Sequence, residues 1–343
     1  MEIGNQIKQL RIRRGITQDA MAQHLGVTPQ AVSKWERGAT TPDISLLPDI
    51  SAYFGVTIDE LFALSDVTRM DRIQNMIWDV RYLDPADVEK ERQFLLEKAR
   101  REPDNCQAYE LLADMENHIA KEHRDFAEEY AKEALKRNPE SKNAHASLVE
   151  AMGGIIGDWY VSNHFMLIEH YRNFVEKHPT VTRGYMWLMD HLLDAGRIEE
   201  AAEYCNRFLE IDQTFRHLWY QGQVYWHRGE KEAAFSYWQQ MEREYPDDWM
   251  VYLKMGDIMA RSGNYDTAKA YYRTAIAKQN APVYCDCFES IAQVCELQGN
   301  NQEAIDVLHE ELEIMKSDWD EISGETSNYV RRNIARLERK RNV

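Results

Sequence analysis

Residues 17 to 38, TQDAMAQHLGVTPQAVSKWERG, decide the fold of the first part of the chain. Thr17 precedes QDAMAQHL and Thr28 precedes Pro29; a hydroxyl in this place accepts a hydrogen bond from the free N–H groups of a helix start, and proline suits the first helical position. Gly26 and Gly38 follow the same two runs, as the left-handed residue that ends a helix. Two helices joined by Gly26-Val27-Thr28 form a helix-turn-helix pair. In the second of them Gln30, Ser33, Lys34 and Arg37 stand at i, i+3, i+4 and i+7 and so share one face, while Val32 and Trp35 fall on the other.

The same punctuation continues on both sides. Gly15 and Gly55 end further helices, Asp43 after Pro42 starts one, and Thr57 to Glu60 reads as a capping box. Five helices are therefore expected in residues 1–65, around a core of Met21, Ala22, Leu25, Val27, Val32, Trp35, Leu46, Ile50 and Phe54. With Pro42-Asp43 and FGVTIDELF (54–62) following it, the segment resembles the helix-turn-helix domain of the xenobiotic-response-element, or lambda-repressor-like, regulators. That resemblance implies a five-helix DNA-binding domain. It places Gln18 and Arg37 at DNA phosphates, starts the recognition helix at Thr28 and Pro29, and brings Gln30, Ser33 and Lys34 to base edges in the major groove. Arg11 and Glu36 take positions that in relatives form a buried ion pair. Lys8, Arg13 and Arg14 are open to either reading, phosphate contact or solvated charge.

Charge agrees with a local rather than a global nucleic-acid surface. The 343 residues carry a net charge of −17, which opposes coating by a polyanion. Residues 1–40 nevertheless hold Lys8, Arg11, Arg13, Arg14, Lys34 and Arg37 against Glu2, Asp19 and Glu36. No stretch has the length or apolarity of a membrane span or signal peptide, so a cytoplasmic protein with no membrane partner is expected. The five cysteines lack paired C-x-x-C spacing, which points to reduced thiols rather than disulfides or zinc.

Beyond residues 66–76, expected as a charged linker, glycines recur at Gly196, Gly229, Gly263 and Gly299, at intervals of 33, 34 and 36 residues. A fixed period near this length is the mark of helical repeats. Ala201, Ala234, Ala268 and Ala304 stand five residues after them, and Gly222, Gly256 and Ala292 twelve residues before the last three alanines. Small residues so placed let the helices of a hairpin approach closely. With Tyr225, Trp238, Tyr252, Tyr272, Phe288 and Leu308 at flanking positions and prolines at repeat ends, the chain resembles tetratricopeptide repeats over most of residues 88–316. The copies ending at Pro139 and Pro179 depart from the pattern. The whole is expected to be all-α, with a repeat domain at 77–325 and a charged capping helix at 326–343.

Stacked hairpins make a superhelix whose concave face is lined by the first helix of each pair. The repeat register puts Arg183, Met186, Asp190, Arg216, Trp219, Gln223, Trp226 and Asp257 on that face, as a peptide- or protein-binding surface. For Trp219 and Trp226, packing between repeats is the competing role. Cys285, Cys287 and Cys295 are expected within one helix, where i and i+2 diverge, so no metal site is expected. No paired histidines at ligand spacing and no phosphate-cradling loop are found, and Gly153-Gly154 is expected inside a helical stretch; neither an enzyme nor a cofactor is anticipated. The expected function is sequence-specific transcriptional regulation by a homodimer, binding a double-stranded operator through two recognition helices about 34 Å apart. The repeats would dimerise or sense a peptide or protein. The joined architecture resembles the peptide-responsive quorum-sensing regulators of Gram-positive bacteria. The alternative is an interaction adaptor whose repeats bind a protein and whose N-terminal domain is a tether.

Overall fold

The computed structural model describes residues 2–62, 66–155 and 157–341, as helices and turns with no strand among them. No described helix is long and apolar enough to cross a membrane. The chain forms two compact units, residues 1–120 and 121–343.

In the first unit α1 (Glu2–Arg13), α2 (Gln18–Leu25), α3 (Pro29–Glu36), α4 (Leu47–Phe54) and α5 (Ile58–Phe62) enclose one core, with a single 3-10 turn at Ile44–Leu46. The caps act as the sequence implies. Thr17 Oγ1 accepts from Ala20 N at 3.1 Å, and Thr28 Oγ1 from Ala31 N at 3.2 Å. Gly26 takes φ +67° at the end of α2. The capping box expected at Thr57 and Glu60 depends on the Glu60 side chain, which lies outside the described residues. Ile7, Met21, Val32, Ile50 and Leu61 are fully buried, and Val27 and Leu46 pack partly buried against them. A Cβ on Gly4 would lie 1.8 Å from the carbonyl oxygen of Trp35. Glycine alone lets α1 cross the end of α3 this closely.

Residues 66–76 are not a linker. They belong to α6 (Asp66–Asp79), whose Met70, Ile73 and Ile77, at i, i+3 and i+7, are buried. These pack in one cluster with Leu95 of α7 (Pro85–Arg101) and with Leu111 and Met115 of α8 (Cys106–Arg137). Of the charges that suggested a connector, Asp66 and Arg69 are partly buried against α7 and have partners there. Arg69 pairs with Glu91 at 2.7 Å, and Asp66 receives Lys98 at 3.0 Å. Helix α8 is unbroken over 32 residues; it contains neither glycine nor proline, so nothing turns it into a repeat hairpin.

The second unit continues through α9 (Lys142–Ala151), α10 (Trp159–Ser162) and α11 (Phe165–Lys177) to a regular series of hairpins. These are α12 (Thr182–Asp194) with α13 (Ile198–Leu209), α14 (Arg216–His227) with α15 (Lys231–Glu244), α16 (Trp249–Arg261) with α17 (Tyr265–Lys278), and α18 (Asp286–Leu297) with α19 (Asn301–Trp319). Gly196, Gly229, Gly263 and Gly299 all have positive φ in the hairpin turns. A Cβ on Gly222 would lie 2.0 Å from Trp238 Nε1, and one on Gly256 would lie 2.5 Å from Tyr272 Cε1. The small residues of the repeat thus receive the aromatic of the following helix. Helix α20 (Glu325–Arg341) closes the series with Val330, Ile334 and Leu337 buried and its charged face outward. Gly153 takes φ +68° just after α9 and helps to terminate it, rather than lying inside a helix. Cys285 caps α18 instead of forming part of it, while Cys287 and Cys295 are buried within that helix.

Candidate functional site

The N-terminal face is built on α3. Val32 and Trp35 are buried, and on the opposite side Gln30, Lys34 and Arg37 are exposed with Ser33 partly so. Thr28 and Pro29 begin this helix in the open, Thr28 as its N-cap. Among the described residues Gln30 and Lys34 have no protein partner, whereas the Arg37 Nε–H donates to Ser33 O at 3.2 Å.

What fixes α3 is Glu36 at its last turn. The Arg11 guanidinium donates to both of its carboxylate oxygens, at 2.6 and 2.9 Å, and the Gln18 amide donates to the second at 2.8 Å. Burial pushes the Glu36 carboxyl up, but the hydrogen bonds from Arg11 and Gln18 outweigh it and hold the group below its ordinary range. The buried pair implied by the family resemblance is present and bidentate. Gln18, implied at phosphate, has its amide nitrogen turned to Glu36. Arg14 is also engaged within the domain, donating to the carbonyls of Tyr53 and Phe54 at the end of α4. Lys8 and Arg13 are exposed.

The second candidate surface is a groove of about 520 Å³ formed by α12, α14 and α16, the first helices of three successive hairpins. Seven residues chosen from the repeat register line it together: Met186, Asp190, Arg216, Trp219, Gln223, Trp226 and Asp257. Arg183 does not; it is exposed on the first turn of α12, one turn before Met186, and lies outside the groove. Both tryptophans combine the two roles the sequence left open. Trp219 stacks on the buried Trp238 at 5.7 Å and packs against the cores on either side of it, and Trp226 approaches Trp238 at 5.6 Å. Each is only partly buried and turns an edge to the groove.

The lining carries both signs of charge. Asp190, Asp194 and Asp257 face Arg216, Lys254 and Arg261. Lys254 lies 3.5 Å from Asp257 and 5.4 Å from the Trp219 ring centroid, and Tyr272 donates to Asp257 at 3.0 Å. Asp190 is reached by water but walled by protein in the concave surface, and this desolvation raises its carboxyl, with Tyr220 and Lys254 opposing. Arg216 donates to Thr214 Oγ1 at 3.2 Å and has no carboxylate partner among the described residues. Lys254, Arg261, Asp194 and His227 are absent from the sequence-derived set. Helical spacing reaches them, since Asp194 and His227 stand four residues after Asp190 and Gln223, and Lys254 and Arg261 flank Asp257 at three and four. The groove offers an extended chain apolar walls from Trp219, Trp226 and Met250 and separate partners for a cation and an anion.

Comparison with known proteins separates the same two regions. Residues 7–61 match the helix-turn-helix family. Residues 168–214, 218–248 and 253–318 match tetratricopeptide repeats. The HTH-type transcriptional activator BcrR of Enterococcus faecalis is 37% identical over 75 residues, 22% of this chain and 37% of its own length. The HTH-type transcriptional regulator MJ0272 of Methanocaldococcus jannaschii is 34% identical over 62 residues, 18% of this chain and 94% of its own. The repressor RstR of a Vibrio cholerae phage is 27% identical over 95 residues, 28% of this chain and 84% of its own. The chain thus spans little more than a third of BcrR and nearly all of MJ0272. Among solved structures, a tetratricopeptide protein of Parabacteroides merdae aligns over 79% of this chain and 97% of its own at TM-score 0.40 and 12% identity. Bacillus thuringiensis PlcR, solved with the peptide PapR7 and DNA, aligns over 92% of this chain and 94% of its own at TM-score 0.31 and 11% identity.

Proposed function

Because the chain belongs to the helix-turn-helix transcriptional regulators, we propose that it binds a specific operator through α3 and that its repeat groove senses a short peptide or an extended segment of a partner protein. The observation that carries the DNA reading is the braced face of α3. Its exposed row of Gln30, Ser33, Lys34 and Arg37 stands on a helix whose end is locked by Arg11, Glu36 and Gln18. A helix braced in this way presents donors and acceptors to base edges with its backbone already ordered, so that only the side chains lose freedom on binding. Gln30 and Lys34 read bases, and Arg37 with the N-terminal turn at Thr28 and Pro29 contacts phosphate.

One small head makes few phosphate contacts, so useful affinity needs two copies on a two-fold operator. The repeats then hold the heads at a spacing, and a ligand in the groove acts by preferring one spacing over another. An extended peptide suits this groove because neither Asp190 nor Arg216 is in an ion pair among the described residues, so both ends of a short zwitterionic chain find partners. In this reading the protein is a binding regulator, not an enzyme. Operator selection from random DNA with the full chain, followed by Gln30→Ala and Lys34→Ala, tests it. Loss of about 1 to 3 kcal/mol at the selected site with little change on random DNA is expected. Equal loss on both would refute base reading.

A further inference from the structure

Between α9 and α11 a group of large apolar side chains is left uncovered. Ile155 is 92% exposed, Trp159 79%, Tyr160 and Met166 77%, Met152 61% and Phe165 57%. Taking about 150 to 250 Å² for each aromatic and similar values for the aliphatics, the ledge presents on the order of 1,000 Å². That exceeds the roughly 300 to 600 Å² of the largest patch on an ordinary monomer. It matches the about 800 Å² that each partner brings to a stable interface.

Charge is sparse on the ledge. Asp158 stands at its edge, and His164, which with Asn163 is the polar part of the surface, is paired with Asp194 at 2.6 Å. Depletion of charge is what marks the centre of a protein interface. The ledge also has a particular shape. A hollow of about 590 Å³ is lined by Trp159, Tyr160, Asn163, His164, Phe165 and Met166, and Met152 and Ile155 project to solvent in the segment that precedes it. A two-fold contact requires projection and hollow in one patch, because residue i of one copy meets j of the other and the reverse. This patch holds both.

We infer that the ledge of Met152, Ile155, Trp159, Tyr160, Phe165 and Met166 is the surface through which two copies of this chain associate. Each copy sets its Ile155 and Met152 into the hollow of the other. A lipid surface is the competing apolar partner, and the net charge of −17 opposes an anionic one. The inference extends the dimer of the proposed function by naming its surface, and its test involves no DNA.

Light scattering and sedimentation equilibrium of the full chain across the micromolar range are expected to give a dimer. The double variant Ile155→Glu/Met166→Glu is expected to be monomeric with unchanged helical circular dichroism, since both side chains face solvent in the single copy. Should the double variant lose helix, Ile155→Gln alone decides, with an expected weakening of self-association of at least tenfold. A monomeric wild type, an undiminished dimer in the folded variants, or wild-type monomers that bind neutral phosphatidylcholine vesicles through the ledge would overturn the inference. Operator binding that persists in any of these cases leaves the regulator reading standing and removes only the surface assigned here.

Discussion

Replacing Glu311 by Gln should make the protein more stable at neutral pH and leave it nearly unchanged in mild acid. Glu311 lies on α19, fully buried, and neither carboxylate oxygen has a hydrogen-bond partner in the protein. Burial pushes its carboxyl up to about 8, and the neighbouring Glu289 and Asp286 push it further in the same direction. In the unfolded chain the group ionises near 4.5. Between these two values the folded state holds a proton that the unfolded state has released, so stability falls as pH rises from about 4.5 to about 8 and is level outside that window. At 1.36 kcal/mol per pH unit, keeping the acid protonated costs about 3 kcal/mol at pH 7 and under about 1 kcal/mol at pH 5. Glutamine has nearly the same shape and carries no such titrating proton, and its one additional N–H donor adds a cost that is the same at every pH. Urea unfolding of wild type and Glu311→Gln at the two pH values, followed by tryptophan fluorescence, should show the variant's advantage growing by about 2 to 3 kcal/mol. An advantage equal at both pH values would refute the burial of an unpartnered acid at this position.

Other perturbations follow from the same geometry. Glu36→Ala should lower the stability of the helix-turn-helix domain by about 3 to 5 kcal/mol, because the largely buried Arg11 loses its bidentate partner; an unchanged thermal midpoint would reject the clamp. Gly222→Ala should cost about 1 to 3 kcal/mol in chemical denaturation, since the new methyl group meets the fully buried Trp238; wild-type stability would show that the hairpin yields there. Arg216→Ala combined with Lys254→Ala should abolish ligand-dependent change in DNA affinity while sparing basal DNA binding, read by anisotropy with and without peptide; an undiminished response would move the ligand out of the groove. Trp219 is a poor probe of the same question, because it packs on Trp238 and its loss would lower stability directly.

Much of the architecture is written locally. Thr17, Thr28 and the turn glycines state where helices begin and end, because each satisfies or terminates a backbone hydrogen-bond pattern within four residues of itself. The row of Gln30, Ser33, Lys34 and Arg37 is legible because helical periodicity alone sets which side chains share a face. The repeat period of about 34 residues announces the hairpins in the same way, and most of the groove follows once that register is known. Local signals mislead at residues 66–76. The charges of Asp66, Arg69 and Arg72 suggested a connector, yet Met70, Ile73 and Ile77 form a buried stripe between them.

The sequence by itself determined the helices, their faces, the repeat and the kind of domain that reads DNA, since all of these depend on spacing along a single chain segment. Tertiary structure alone decided what each face meets. It turned the Gln18 amide to Glu36, engaged Arg14 with the carbonyls at the end of α4, left Arg183 outside the groove, brought Lys254 and Arg261 into it, sealed Glu311 in the last hairpin and left Trp159 and its neighbours uncovered. The physical reason is that burial and desolvation come from elements distant in sequence, and a side chain's own helix carries no record of what will pack against it.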